Sequence, residues 1–219
     1  FIDNHVSNGA DYQYTLTHLF TQHNKLGGNL GAYLHLEMMP KLEQKLAEKK
    51  WDITPYVNVF NRTPESGFSQ FFDSPRYSTG YTTLFNTLGM MVETHMLKPY
   101  KQRVEGTYEL IKSMIEITEA DADKIAELRS AQQNKWKPGN DYPISWTVDT
   151  TQSTTLQFKG YEGEMIKSDL TGAQRLKYDR SQPFTKPVEY QNFFIPSGNI
   201  TIPTAYIIPQ GWHNVIELL

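Results

Sequence analysis

Two side chains in this sequence stand where an enzyme would place them. His5 falls at the end of Phe1 to Val6, a short apolar run that reads as a largely buried strand before the turn signal Ser7-Asn8-Gly9. Glu93 ends Gly89-Met90-Met91-Val92-Glu93, whose apolar residues after a glycine read as a central strand. In open α/β sheets the working residues gather outside the carboxyl ends of strands, so the two can meet in one cleft. A neutral imidazole there binds a metal ion, and a carboxylate beside it takes a proton from water. Spacing alone equally allows a histidine satisfied by a backbone carbonyl and a glutamate in a surface ion pair. His95 lies two residues past Glu93, on the same face of an extended segment, where it could orient the base or the substrate. A packed or surface histidine is the plain alternative.

These residues need a scaffold. Tyr12, Tyr14 and Leu16 alternate with polar residues, which predicts a second, half-exposed strand. Leu34, Met38, Leu42 and Leu46 predict an amphipathic helix over 32–49, with Pro40 a kink or restart. Tyr56 to Phe60 reads as a strand, and 61–81, rich in Pro, Gly, Ser and aromatics, as a long functional loop. Val104, Tyr108, Ile111 and Ile115 form the apolar stripe of a long helix starting near Pro99, and Thr118 caps a further helix. From Lys137-Pro138-Gly139 onward short alternating runs replace helical spacing. Strands are expected at 145–148, 155–158, 188–194 and 205–208, with a helical turn or two at the end. The expected division is an α/β unit over 1–136 and a β-rich domain over 137–219. Trp136, Trp146 and Trp212 suit sugar stacking or, more commonly, packing.

Composition narrows the function. The 219 residues carry 21 Lys and Arg against 24 Asp and Glu, a formal charge of -3, so nothing marks a nucleic-acid partner. There is no cysteine, so any transition metal must be held by histidine and carboxylates. No run approaches the ~18 apolar residues of a membrane span. The chain opens on Phe1 and reads as an excised or processed piece.

The segments Phe1-Ile2-Asp3-Asn4-His5-Val6-Ser7-Asn8-Gly9-Ala10-Asp11-Tyr12-Gln13-Tyr14 and Val92-Glu93-Thr94-His95-Met96-Leu97-Lys98-Pro99-Tyr100 resemble the later half of zinc carboxypeptidases, in particular a bacterial branch. In that family an early H-x-x-E pair gives two zinc ligands and a histidine ending a later strand gives the third. His5 matches the third ligand, and Glu93 matches the family's general base. H-x-x-E occurs nowhere in this sequence, so the resemblance places the other two ligands, and the arginines for the substrate carboxylate, before Phe1.

The resemblance thus implies the second half of a carboxypeptidase-like mixed sheet with flanking helices, in a zinc metallopeptidase acting on a peptide, with one Zn2+ whose remaining ligands lie upstream. It points to a periplasmic or extracellular location. In related enzymes the region of 63–81 carries a mobile tyrosine and lines the specificity pocket, which makes Tyr77 and Tyr81 candidates for a phenol donating to the peptide. Arg76 could pair with a substrate carboxylate in bidentate fashion. As a fragment with a bare sheet edge, the piece is expected to be inactive alone and to self-associate. A degenerate peptidase that binds peptide or glycan, and a deacylase of the same fold, are the alternatives.

Overall fold

The computed structural model describes residues 1–133 and 135–219, and the chain is a mixed α/β protein. Its elements in order begin with β1 (Ile2–Ser7), β2 (Leu16–Phe20), α1 (His23–Leu26) and α2 (Gly28–Tyr33). A π turn (Leu34–Met38) leads into α3 (Met39–Glu48), followed by β3 (Ile53–Pro55), β4 (Phe68–Ser69) and α4 (Ser78–Thr82). Then come β5 (Met90–His95), α5 (Tyr100–Ala120), α6 (Ala122–Gln133), β6 (Asp141–Val148), β7 (Thr154–Lys167), β8 (Gln174–Gln191), β9 (Phe194–Thr201) and α7 (His213–Leu218).

The first sheet has the order β1-β5-β2-β3, with β1 parallel to β5, β5 antiparallel to β2, and β2 parallel to β3. Alternation divides each strand between two faces. Ile2, Met90, Val92, Leu16 and Phe20 join a core with Leu30, Leu34, Met38, Leu42 and Leu46 from the helices. Residues four apart drift by about 40° per step around a regular α-helix. The π turn, in which Met39 N–H bonds Leu34 O, counters that drift and keeps Leu34 to Leu46 on one buried stripe. Pro40 then sits in the first turn of α3, where its missing N–H costs nothing.

A second core joins Tyr12, Tyr14, Val57, Val59 and Phe68 to Phe158, Val188 and Tyr190 of the β-rich part. There β7 and β8 form a long antiparallel hairpin, β4 adds to β8 in parallel, and β6 pairs with β9. Tyr12 makes an antiparallel bridge to Gly160, so residues 10–14 lie against the hairpin.

Several expectations need correcting. β1 is an edge strand with Asn4, His5 and Val6 exposed, not largely buried, because only β5 pairs with it. β2 starts later than the tyrosine alternation and is buried along its whole length, with Leu16 and Phe20 packed against the helices. The strand expected at Tyr56 to Phe60 is confined to 53–55, and 205–208 is not a strand. Thr118 caps nothing: it lies within α5, where Oγ1 donates to Met114 O at 2.8 Å. The expected stripe of α5 is on the wrong face. Leu110, Met114 and Ile117 are buried, whereas Val104, Tyr108 and Ile115 are 49%, 64% and 58% exposed.

α5 therefore carries two apolar stripes, one with no cover among the described residues. Phe1, Ile2, Leu88, Ile115 and Ile125 line an apolar groove of about 310 Å³ between β1 and the helices. A bare strand edge beside uncovered apolar side chains recruits another chain. The isolated chain is expected to sediment as dimers or larger species, and a compact monomer at every concentration tested would overturn this.

Candidate active site on the polar face of the sheet

The face of the first sheet turned away from the helices is largely polar, with Met91 and Leu19 its buried apolar members. Asp3, His5 and Ser7 of β1, Thr17 of β2, and Glu93 and His95 of β5 lie on it. His5, Glu93 and Thr17 are direct neighbours across three strands, since His5 is in register with Glu93 and Glu93 with Thr17. Neighbouring strands lie about 4.8 Å apart, so the two residues singled out by sequence share one patch.

The His5 imidazole is half exposed, with Nε2 3.1 Å from Asp3 Oδ2. The same carboxylate oxygen accepts a 2.6 Å hydrogen bond from Ser78 Oγ of α4. Asp3 is thereby held below the usual carboxylate range, chiefly by the Ser78 hydrogen bond, with burial opposing it and His5 adding to it. The ring is fixed through one nitrogen and Nδ1 is left for another partner, the arrangement by which a carboxylate orients a metal-binding histidine. Among the described residues, however, no three His, Asp or Glu side chains converge on a point that could hold a metal ion. A catalytic zinc needs three protein ligands, and this patch offers His5 alone in that role.

Glu93 is buried, and its backbone carbonyl accepts from Thr17 Oγ1 at 2.8 Å. Burial raises its carboxyl above the ordinary value; the nearby His5 opposes this and Asp3 adds to it. A raised carboxylate facing an exposed imidazole is a competent proton acceptor. Two tyrosines flank it. Tyr12 is fully buried, its hydroxyl 3.1 Å from Ser7 Oγ, and burial pushes its phenol far up. Tyr56 is half buried, with its phenol raised by burial and then by the charge of Glu93.

The other residues singled out by sequence lie elsewhere. Arg76, Tyr77 and Tyr81 line an open cleft of about 530 Å³ with Phe1, at the beginning of β1 rather than beside Glu93. Tyr77 packs edge-on against Phe71 at 4.9 Å, Arg76 lies 5.4 Å over Tyr77, and Tyr81 leans on Phe85 at 5.2 Å. Ser78 is the link between this loop and the His5 patch. A Cβ on Gly80 would lie 2.2 Å from Ser74 O and 2.4 Å from Asp73 O, so only glycine lets the loop fold back this tightly. Beneath it Lys25 Nζ faces the fully buried Asp73 carboxylate at 3.6 Å.

His95 is 2% exposed, its ring tilted against Tyr12 with centroids 4.3 Å apart, and Nε2 lies 2.9 Å from Asp11 Oδ1. It is packed against Tyr12 and Asp11 rather than open to solvent. Sequence reasoning missed Asp3, Ser78, Asp11 and Tyr56. The Asp-x-His spacing puts Asp3 on the face of His5 and was a usable signal. Tyr56 carries none, because its place follows from the pairing of β3 with β2. No helix among the described residues is long and apolar enough to cross a membrane. No protein-family model, curated protein or solved structure matches the chain.

Proposed function

We propose that this chain is the C-terminal part of a zinc metallocarboxypeptidase-type enzyme, with Glu93 as general base and His5 as one zinc ligand. The observation that carries the reading is the register of His5 with Glu93 on adjacent parallel strands, one side chain open and the other buried. Zinc, when bound, would activate water and polarise the scissile carbonyl. The chain's own residues supply the rest. Asp3 Oδ2 holds the His5 ring by Nε2, and Ser78 holds Asp3. Glu93 takes a water proton on its carboxylate and returns it to the leaving amine, helped by the burial that raises its proton affinity. The peptide lies along the open side of β1, with Arg76 and Tyr77 of the neighbouring cleft available to its carboxylate and carbonyl groups.

The two further zinc ligands are proposed to come from residues preceding Phe1. The bare edge of β1 and the uncovered stripe of α5 support this, since a neighbouring segment would cover both. The second reading, a degenerate peptidase that only binds peptide or glycan, is favoured by the lack of a three-ligand group among the described residues.

Zinc content separates the two. Elemental analysis of the longer protein should find one zinc per chain, lost in His5→Ala, a half-exposed position where the change spares the fold. A longer protein without zinc, or one whose zinc is indifferent to His5, overturns the peptidase reading.

A further inference from the structure

One buried polar network has no part in the chemistry above. Asp11 is 5% exposed and both of its carboxylate oxygens are engaged: Oδ1 with His95 Nε2 at 2.9 Å, and Oδ2 with Arg180 Nε at 2.7 Å. Burial would raise Asp11, but the hydrogen bonds from His95 and Arg180 and the Arg180 charge hold it below the usual range. Arg180 comes from the β-rich part of the chain, 169 residues away in sequence.

What aims Arg180 is a bulge. Along the β7–β8 hairpin Tyr161 pairs with Pro183, and the next pair is Glu162 with Asp179, so residues 180–182 have no partner on β7. The bulge is built rather than loose. Asp179 Oδ1 accepts from Ser181 N at 2.9 Å and Ser181 Oγ at 2.6 Å, and Oδ2 accepts from Gln182 Nε2 at 2.7 Å. Bulges re-aim side chains next to working sites. This one turns a guanidinium inward onto a carboxylate that grips the last residue of the Glu93 strand.

We infer that Arg180 is a positioning residue: through Asp11 and His95 the hairpin fixes the carboxyl end of β5 and hence the place of Glu93. The inference rests on the reading of Glu93 as the base. His95 is the last residue of β5, after which the chain turns and Lys98 N–H bonds His95 O at 3.1 Å. Its backbone N–H donates to Thr15 O at 2.9 Å and it is in register with Ser7 of β1, and its side-chain bond to Asp11 adds the tie that reaches the hairpin. Glu93 lies one side-chain repeat away on the same face, and slack at His95 passes directly to it.

The test uses the chain with Arg180→Ala, Arg180→Lys and Lys186→Ala. Lys186 of the same hairpin joins Glu162 of β7 and Glu65 of the turn before β4 without touching Asp11, so it reports generic stapling. Arg180 is half exposed, so its loss leaves the cores intact. Hydrogen exchange at the His95 amide and at its imidazole N–H should speed up about tenfold or more in Arg180→Ala. It should return to within about threefold in Arg180→Lys, and stay within that range in Lys186→Ala. In the longer protein kcat should fall in Arg180→Ala with KM unchanged.

Unchanged exchange in Arg180→Ala, or an equal change in Lys186→Ala, overturns the inference. The two readings fail separately. If exchange responds but the longer protein holds no zinc and has no turnover, the peptidase reading falls while the clamp on β5 stands. If turnover is present and exchange ignores Arg180, the clamp falls alone.

Discussion

Glu93→Gln in the longer protein should lower kcat/KM by roughly three orders of magnitude, the usual worth of a positioned general base. It should keep its zinc, because the glutamate is not a ligand in the proposed site. The same change should leave the fold as stable or more so. Glu93 is buried, and burial raises its carboxyl, which means that the charged form costs stability at neutral pH. Glutamine removes that cost while keeping shape, the usual signature of a group retained for activity at the expense of stability. The folded carboxyl lies above its unfolded value, so the penalty is present at neutral pH and fades as pH falls through the folded value. Kinetics together with the melting temperature at neutral pH check both halves. A variant that keeps its rate, or melts well below the parent, contradicts the assignment.

The second large effect is acid lability centred on two other histidines. His23 of α1 and His35 of the π turn stack with ring centroids 4.1 Å apart and planes within 9°. Phe193, between β8 and β9, stands edge-on to both, at 5.3 Å and 5.4 Å. Burial, and then the charge His35 would carry, drops His23 from 6.5 to about 3; burial also lowers His35, opposed by Glu43. His18 Nε2 lies 3.5 Å from Glu43, on the sheet side of this cluster. His23 Nε2 and His35 Nδ1 have no hydrogen-bond partner among the described residues. Gly31 allows the stacking, because a Cβ there would lie 2.2 Å from His23 O.

The sign follows from the neutral native pair. Both folded values lie below the unfolded one, so stability is complete above pH 6.5 and drains away as pH falls from 6.5 toward about 3. For His23 alone the loss amounts to roughly 5 kcal/mol once pH is below that window. The urea midpoint should therefore drop steeply between pH 7 and pH 4, and the drop should shrink in His23→Phe, which keeps an aromatic ring against His35 and Phe193. An equal drop in that variant would place the acid sensitivity elsewhere.

Local signals were legible in the sequence, and tertiary ones were not. Gly89 to Glu93 read as a central strand and is one, because an unbroken apolar run needs cover on both faces. Pro40 marked the restart at α3 for a purely local reason. Val104, Tyr108 and Ile115 misled because α5 is apolar on two sides, and periodicity does not say which side meets the sheet. The register of His5 with Glu93 follows from strand order, for which a single sequence holds no local trace. The Arg180 contact was illegible for the same reason, being made by a bulge whose position depends on hairpin pairing.

That reliance on remote partners shapes how the chain folds. The Phe1 backbone nitrogen reaches Leu88 O across 87 residues, Gln13 reaches Gly160 O across 147, and Arg180 reaches Asp11 across 169. Closing such loops costs chain entropy before any contact repays it. The β7–β8 hairpin and the α5–α6 pair, by contrast, are assembled from near neighbours. The strands of the polar face pair among residues 2–95, but the segment 10–14 that backs them gains its bridge to Gly160 and its Arg180 contact only once the hairpin has emerged during synthesis.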